Sequence, residues 1–465
     1  MIDGAGAARA ASGRSAAAGE PRLERRLGVV SMAALVIGEV IAVGIFLTPA
    51  GMAKSLGSPA WLLAAWLIMG LMALSGALCY GELAARYPEA GGGYVYLRRA
   101  YGPLVSFLYG WKCLLVMDPG ITAALAVGLA SYLGYVVEMS PVELKAVAIG
   151  VVLLLAGVNA YGLRLGAGVI RLLTAFKLGA LATIILLAFV LRPGDVANFL
   201  PLVEQRPGSD PLPGALAGAM VGAFFAFGGW WEISKLAGEA RDPERTVPRA
   251  LALGVAVVTV AYILTSAVFL YLVPLDQVGS GETFAAQAGE ALFGPAGGRV
   301  FAGIVVVSVL GSLAALLMAL PRVYYAMARD GVFFRPIGAV HPRFRTPVRA
   351  IAVQAVLASL FVALGTFDEI LGYFIFVTVL FLALTVAAVF VLRRRDPGPL
   401  PFATPGYPAT PVAFLTLVAV LLALLGGSQP VQAGLGVGVV ALGVPVYYLV
   451  FRRTPRQDNQ RSSPS

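Results

Sequence analysis

Apolar runs of about twenty residues recur along almost the whole of this chain, each long enough to cross about 30 Å of hydrocarbon. Twelve can be marked, at roughly 28–53, 59–85, 102–136, 142–161, 167–191, 214–238, 249–273, 299–326, 348–366, 369–392, 410–427 and 431–451. The third is long and contains Pro119, so a kinked helix reaching past one interface is expected. Composition agrees: 59% of residues are hydrophobic and 12% charged, whereas a soluble domain is nearer a quarter charged. An all-α membrane protein follows.

Two of these runs are interrupted at corresponding places. IGEVIAVGIFLTPAG (Ile37 to Gly51) carries a Glu, two glycines and a Pro, and AFFAFGGWWEIS (Ala223 to Ser234) carries paired glycines and a Glu. A break at mid-depth is tolerated only where the freed peptide groups meet protein, water or ligand. Freed N–H groups at a half-helix start suit an anion, and freed carbonyls suit a cation. Paired breaks in two halves of a chain point to a substrate site near the membrane midplane.

The spacing also suggests duplication. Spans one to five occupy about 28–191 and spans six to ten about 214–392, each set opening with a broken helix. An odd number of spans per unit inverts the second copy relative to the first. Helices eleven and twelve, at about 410–451, form an appendage to the single membrane domain, 28–452. Residues 1–27 and 453–465 read as disordered tails, and the first lacks the layout of a removable signal peptide.

The formal charge of +10 orients the chain rather than marking a nucleic-acid partner. About 27 of the 34 Lys and Arg fall in the tails and the even-to-odd loops, among them Arg25, Arg26, Arg98, Arg99, Arg245, Arg343 and Arg393. The opposite side carries only Lys54, Lys112 if it lies outside its helix, Lys145, Arg192, Arg206 and Arg299. This asymmetry places both termini in the cytoplasm, with the protein spanning the lipid bilayer of the cell membrane. Cys79 and Cys113 both lie in spans, and the one histidine, His341, lies in a loop, so no disulfide framework, metal site or cofactor is expected. No nucleophile stands beside a base and no acids are paired at metal spacing, which argues against an enzyme.

Several motifs then occur in a fixed order: I-G-x-x-I-x-x-G-I-F in span one, P-E-A-G-G-x-Y after span two, and F-A-F-G-G-W in span six. E-x-x-x-P-x-R-x-x-P-x-A follows, then R-x-x-Y-x-M-A-R-D-G after span eight and H-P-x-x-x-T-P in the next loop. Together, over about residues 28–400, they resemble the amino acid–polyamine–organocation (APC) superfamily, and within it the permeases close to the L-type amino acid transporters. The resemblance implies the LeuT-type fold, a 5+5 inverted repeat with discontinuous helices 1 and 6, and alternating-access transport of amino acids.

It also implies site residues. The family holds the substrate carboxylate on backbone amides of a glycine-rich triplet, to which Ala42, Val43 and Gly44 correspond here, following Val40 and Ile41. Val departs from the glycine pattern and narrows the pocket. Phe225, Ala226, Gly228 and Gly229 match the second break, whose carbonyls take the ammonium, with Phe225 at the gating aromatic position. Trp231 stands where relatives are often small or polar. Lys177 matches the lysine that replaces a sodium ion in sodium-independent members, and a lysine at that depth costs about 3 kcal/mol unless paired or employed.

Glu39, Asp118 and Glu232 are unexpected in such surroundings. Glu39 can pair with Lys177 or Lys112, carry a coupling proton, or recognise a cationic side chain. In an ideal helix Lys112 and Asp118 fall on different faces, so they are not a simple pair. The expectation is a sodium-independent secondary transporter of neutral amino acids, working as exchanger or proton symporter. A carrier of cationic amino acids or amines and a sensor that binds without flux stay open, as do an accessory subunit and a homodimer.

Overall fold

The computed structural model describes residues 27–451 apart from 42–43, 90, 162–166, 192–193, 279–282, 321–322, 325–326, 329 and 345, and side chains apart from 167–174, 176–177, 284 and 318–319 within helices. Among the described residues it is helical throughout, with one isolated bridge between Leu27 and Ala240. Helix α1 (Val29–Val40) and α2 (Gly44–Leu56) meet at 48° across the first break. They are followed by α3 (Pro59–Arg86), the short α4 (Gly93–Tyr101), and α5 (Pro103–Lys112), which passes through a π-turn at Cys113–Met117 into α6 (Asp118–Val136). Next come α7 (Pro141–Ala160) and α8 (Ala167–Leu191).

The second half opens with α9 (Leu212–Phe227), which breaks at Gly228 and Gly229 and resumes as a 3-10 segment, Trp230–Glu239. Then follow α10 (Pro243–Leu272), α11 (Phe284–Ala319), α12 (Val348–Leu364), α13 (Phe367–Arg395), α14 (Ala409–Ser428) and α15 (Pro430–Val450). Among the described residues, nine helices are long and apolar enough to cross a membrane, ten when the bent pair counts as one span; Leu178–Leu191 and Val348–Leu364 are shorter apolar helices.

Helix starts follow local chemistry. Prolines open α3, α7, α10 and α15, where the missing N–H costs nothing. Ser140 with Glu143 and Thr366 with Glu369 form capping boxes at α7 and α13, each satisfying two otherwise orphaned donors. The link after α3 is amphipathic: α4 buries Tyr96, Leu97 and Ala100 while Arg98 and Arg99 face outward. In the expected kinked third span, the departure from regular geometry is the π-turn just ahead of Pro119.

Packing fixes the two breaks against a common support. Trp66 of α3, Phe227 at the end of α9 and Tyr262 of α10 form an aromatic triad with ring centroids 5.1–6.2 Å apart. Such pairs add about 0.5–1.5 kcal/mol each beyond burial. The residue entering α1 is stapled to the exit of the 3-10 segment: Leu27 N–H donates to Glu239 O, and Arg241 N–H donates to Leu27 O, both at 3.0 Å. The first half of one interrupted element is thereby tied to the second half of the other at α1's start, away from the breaks themselves.

Candidate functional site

At the second break Gly228 is extended (φ −53°, ψ 146°) and Gly229 takes φ 103°, a left-handed conformation that side chains disfavour. Glu39 lies against it: a Cβ on Gly229 would sit 3.0 Å from Glu39 Cγ. The two breaks touch directly as well, since a Cβ on Gly44 would come within 2.2 Å of Ala226 Cα.

Tyr262 binds both breaks to one point. Its fully buried hydroxyl is 2.8 Å from the carbonyl oxygen of Val40 and 2.8 Å from that of Ala226. Each is a carbonyl that loses its helical partner at a break. One proton serves two acceptors, so lone pairs at both carbonyls remain for a ligand donor. The carbonyls of Phe225 and Gly229 accept from the amides of Gly228 and Glu232, at 3.1 and 2.9 Å.

A cavity of about 770 Å3 lies at this junction. Its wall follows α1 from Leu27 through Ser31, Gly38 and Glu39 to Val40, but on α2 reaches only Gly44. The second break contributes Phe224, Phe225, Gly228, Gly229, Trp231 and Glu232; α6 adds Ile121, α11 adds Ser308 and Ser312, and α13 adds Phe374 and Thr378. Beyond the breaks Phe225 closes the space, its ring meeting Phe367 at 5.8 Å and Phe374 at 6.3 Å, both edge-on. The cavity therefore extends along the N-terminal half of the first span and is shut on the other side.

Of the residues singled out from the sequence, Glu39, Val40, Gly44, Phe225, Gly228, Trp231 and Glu232 line this cavity. Ile41 and Ala226 are buried beside it at the breaks, contributing backbone. Ala42 and Val43 lie outside the described residues, and so does the Lys177 side chain, although its backbone is in α8.

Asp118 opens α6 one position from the lining residue Met117 and is 1% exposed. The Tyr324 hydroxyl donates to its Oδ2, and Oδ1 has no hydrogen-bond partner among the described residues. Lys112 is equally buried, its Nζ 2.9 Å from Met117 Sδ and above the rings of Tyr109 and Phe381. The five-residue step from Lys112 to Met117 matches the wider π-turn between them. Glu232 pairs with Lys235, three residues on, which the 3-10 geometry places directly over it.

Tyr262, Tyr324 and Lys235 were invisible as site residues in the sequence. Tyr262 sits in an apolar run with no local signal, and only the crossing of α10 over both breaks gives it its place. Among the described residues no group of three or more His, Cys, Asp or Glu could hold a metal ion.

A family model described as "Amino acid permease" matches residues 27–451. The chain is 32% identical to the serine/threonine exchanger SteT of Bacillus subtilis, over 93% of this chain and 98% of that one. It is 30% identical to the human large neutral amino acids transporter small subunit 2, covering 92% and 80% of the two chains. With the human cystine/glutamate transporter it shares 29% identity over 94% of this chain and 87% of that one.

Proposed function

The chain belongs to the amino acid permease family, and we propose that it carries a neutral α-amino acid across the cell membrane by alternating access, independently of sodium and by exchange. It is a transporter and not an enzyme. The observation that carries the mechanism is the meeting of two broken helices at one cavity, with the carbonyls of Val40 and Ala226 drawn to a single hydroxyl. In this reading the backbone amides of Ala42, Val43 and Gly44 hold the carboxylate, and carbonyls at both breaks hold the ammonium. Trp231, Phe224 and Phe374 surround the side chain, and Phe225 is the gate. Exchange is supported by the name of the Bacillus relative, an exchanger, and by Lys177 at the position of a fixed charge.

The architecture we assign is the LeuT-type 5+5 inverted repeat with two further helices, twelve spans in all. The bent pair, the nine long helices and the two shorter apolar helices support that number. With both termini cytoplasmic, the cavity running along α1 faces the cytoplasm, and the structure is inward-facing.

A second reading, proton symport, draws on Glu39 and Glu232, two carboxyl groups in the wall of the cavity. Uptake of labelled amino acids into proteoliposomes separates the two. Exchange requires preloaded internal substrate and ignores proton and sodium gradients. Uptake into empty vesicles driven by an imposed proton gradient, and abolished by Glu39→Gln, would replace exchange with symport. Binding without flux under any condition would make the chain a sensor.

A further inference from the structure

Four charged side chains gather where α5 passes through the π-turn into α6: Lys112, Asp118, Glu232 and Lys235. Glu232 is in the wall of the central cavity, and its counter-ion is Lys235. Asp118 is buried next to the wall residue Met117, and the charges of Lys235, Lys112 and Glu232 all act on it. Among the described residues neither Lys112 nor Asp118 is in an ion pair. Two acids so placed would draw a cationic side chain into the cavity. Two lysines beside them balance the charge.

Lys112 is the unusual member. It is 2% exposed inside a membrane-spanning helix, where an ammonium is costly and is retained for a task. Its Nζ is 2.9 Å from Met117 Sδ, 4.9 Å from the centre of the Tyr109 ring and 5.7 Å from that of Phe381. Two rings and a thioether hold an ammonium in place but carry no formal charge, so they leave its positive charge uncancelled. Met117 lines the cavity, whereas Lys112 does not. The ammonium thus touches a wall residue while staying out of reach of a ligand.

We propose that Lys112 is a specificity-determining residue, whose buried charge offsets the acids beside the cavity and so excludes amino acids with a cationic side chain. The inference rests on the neutral-substrate reading above and supplies its cause. With Lys112 in place the four groups sum to zero. Without it, Asp118, whose Oδ1 has no hydrogen-bond partner among the described residues, leaves this stretch of wall net negative.

The test measures displacement of labelled leucine from the full chain in detergent by two matched pairs of competitors. Norleucine and lysine share an unbranched hydrocarbon stem and differ in the terminal ammonium. For Lys112→Met, the ratio of their inhibition constants should move at least about tenfold in favour of lysine. An unchanged ratio overturns the proposal, because lost packing alone weakens both competitors alike. Met117→Ala keeps the ammonium and removes the thioether that covers it. Glutamate should then gain on glutamine by at least about tenfold, and an unchanged ratio there also overturns the proposal. Uptake of the same amino acids into proteoliposomes separates this inference from the transport reading. Shifted binding ratios without flux of any amino acid sink transport and keep Lys112 as the determinant.

Discussion

Gly44 and Ala226 are in backbone contact across the two interrupted helices, so close that a Cβ on Gly44 would stand 2.2 Å from Ala226 Cα. Backbone cannot rotate aside as a flexible side chain can. Gly44→Ala is therefore expected to push the breaks apart, with an overpacking cost of about 1–3 kcal/mol. Uptake should fall at least about tenfold. Thermal unfolding in detergent and initial uptake rates measure both effects; wild-type behaviour in each would show that the contact is dispensable.

Tyr262→Phe keeps the ring contacts with Trp66 and Phe227 and removes only the hydroxyl shared by Val40 and Ala226. Two buried carbonyls lose a donor, at about 1–3 kcal/mol in total. Substrate affinity should drop, because the carbonyl dipoles are no longer aimed together. Binding titration of the purified variant measures this, and an unaltered dissociation constant would remove Tyr262 from the site.

Glu82 and Arg393 form a lock away from the cavity at the breaks. Arg393 donates from Nε and Nη2 to the two carboxylate oxygens at 2.7 and 2.5 Å, and the Thr404 amide adds a third bond at 2.7 Å. Glu82 is 1% exposed, so Glu82→Gln leaves a largely buried guanidinium without its counter-charge, at about 3–5 kcal/mol. Thermostability should fall strongly while KM in the surviving protein stays at the wild-type value. A changed KM would mean that the lock reaches the substrate.

Tyr94, on the short helix α4 outside the spans, donates its hydroxyl to Asp330 at 3.1 Å. Burial first, and the Asp330 charge second, push its hydroxyl up to about 12. Its folded-state value lies above the unfolded one near 10, so its stabilisation is present below pH 10 and is lost as pH rises from there through about 12. Melting temperature against pH should fall in that window for wild type and fall less for Tyr94→Phe. Parallel curves would remove Tyr94 from the alkaline transition.

The sequence exposed the breaks because glycines and acids interrupt apolar runs, and it exposed helix starts because Pro59, Pro141 and Pro430 mark them. What stayed hidden depended on geometry that a regular helix does not have. Lys112 and Asp118 were compared on an ideal helix, whereas the π-turn between them seats the Lys112 ammonium on Met117. Lys235 pairs with Glu232 within the 3-10 segment, where residues three apart lie over one another. Tyr262 shows its role only when α10 is folded back over both breaks.

The 3-10 winding of Trp230–Glu239 is long for its kind, at 10 residues. At about 2.0 Å per residue it reaches about 20 Å, whereas the same residues wound as α-helix would span about 15 Å. The segment can thus shorten by about 5 Å, close to one α-helical turn. Rewinding it would draw the Gly228–Gly229 break toward Leu27, shortening one wall of the cavity like a spring released and carrying the end of α9 with it.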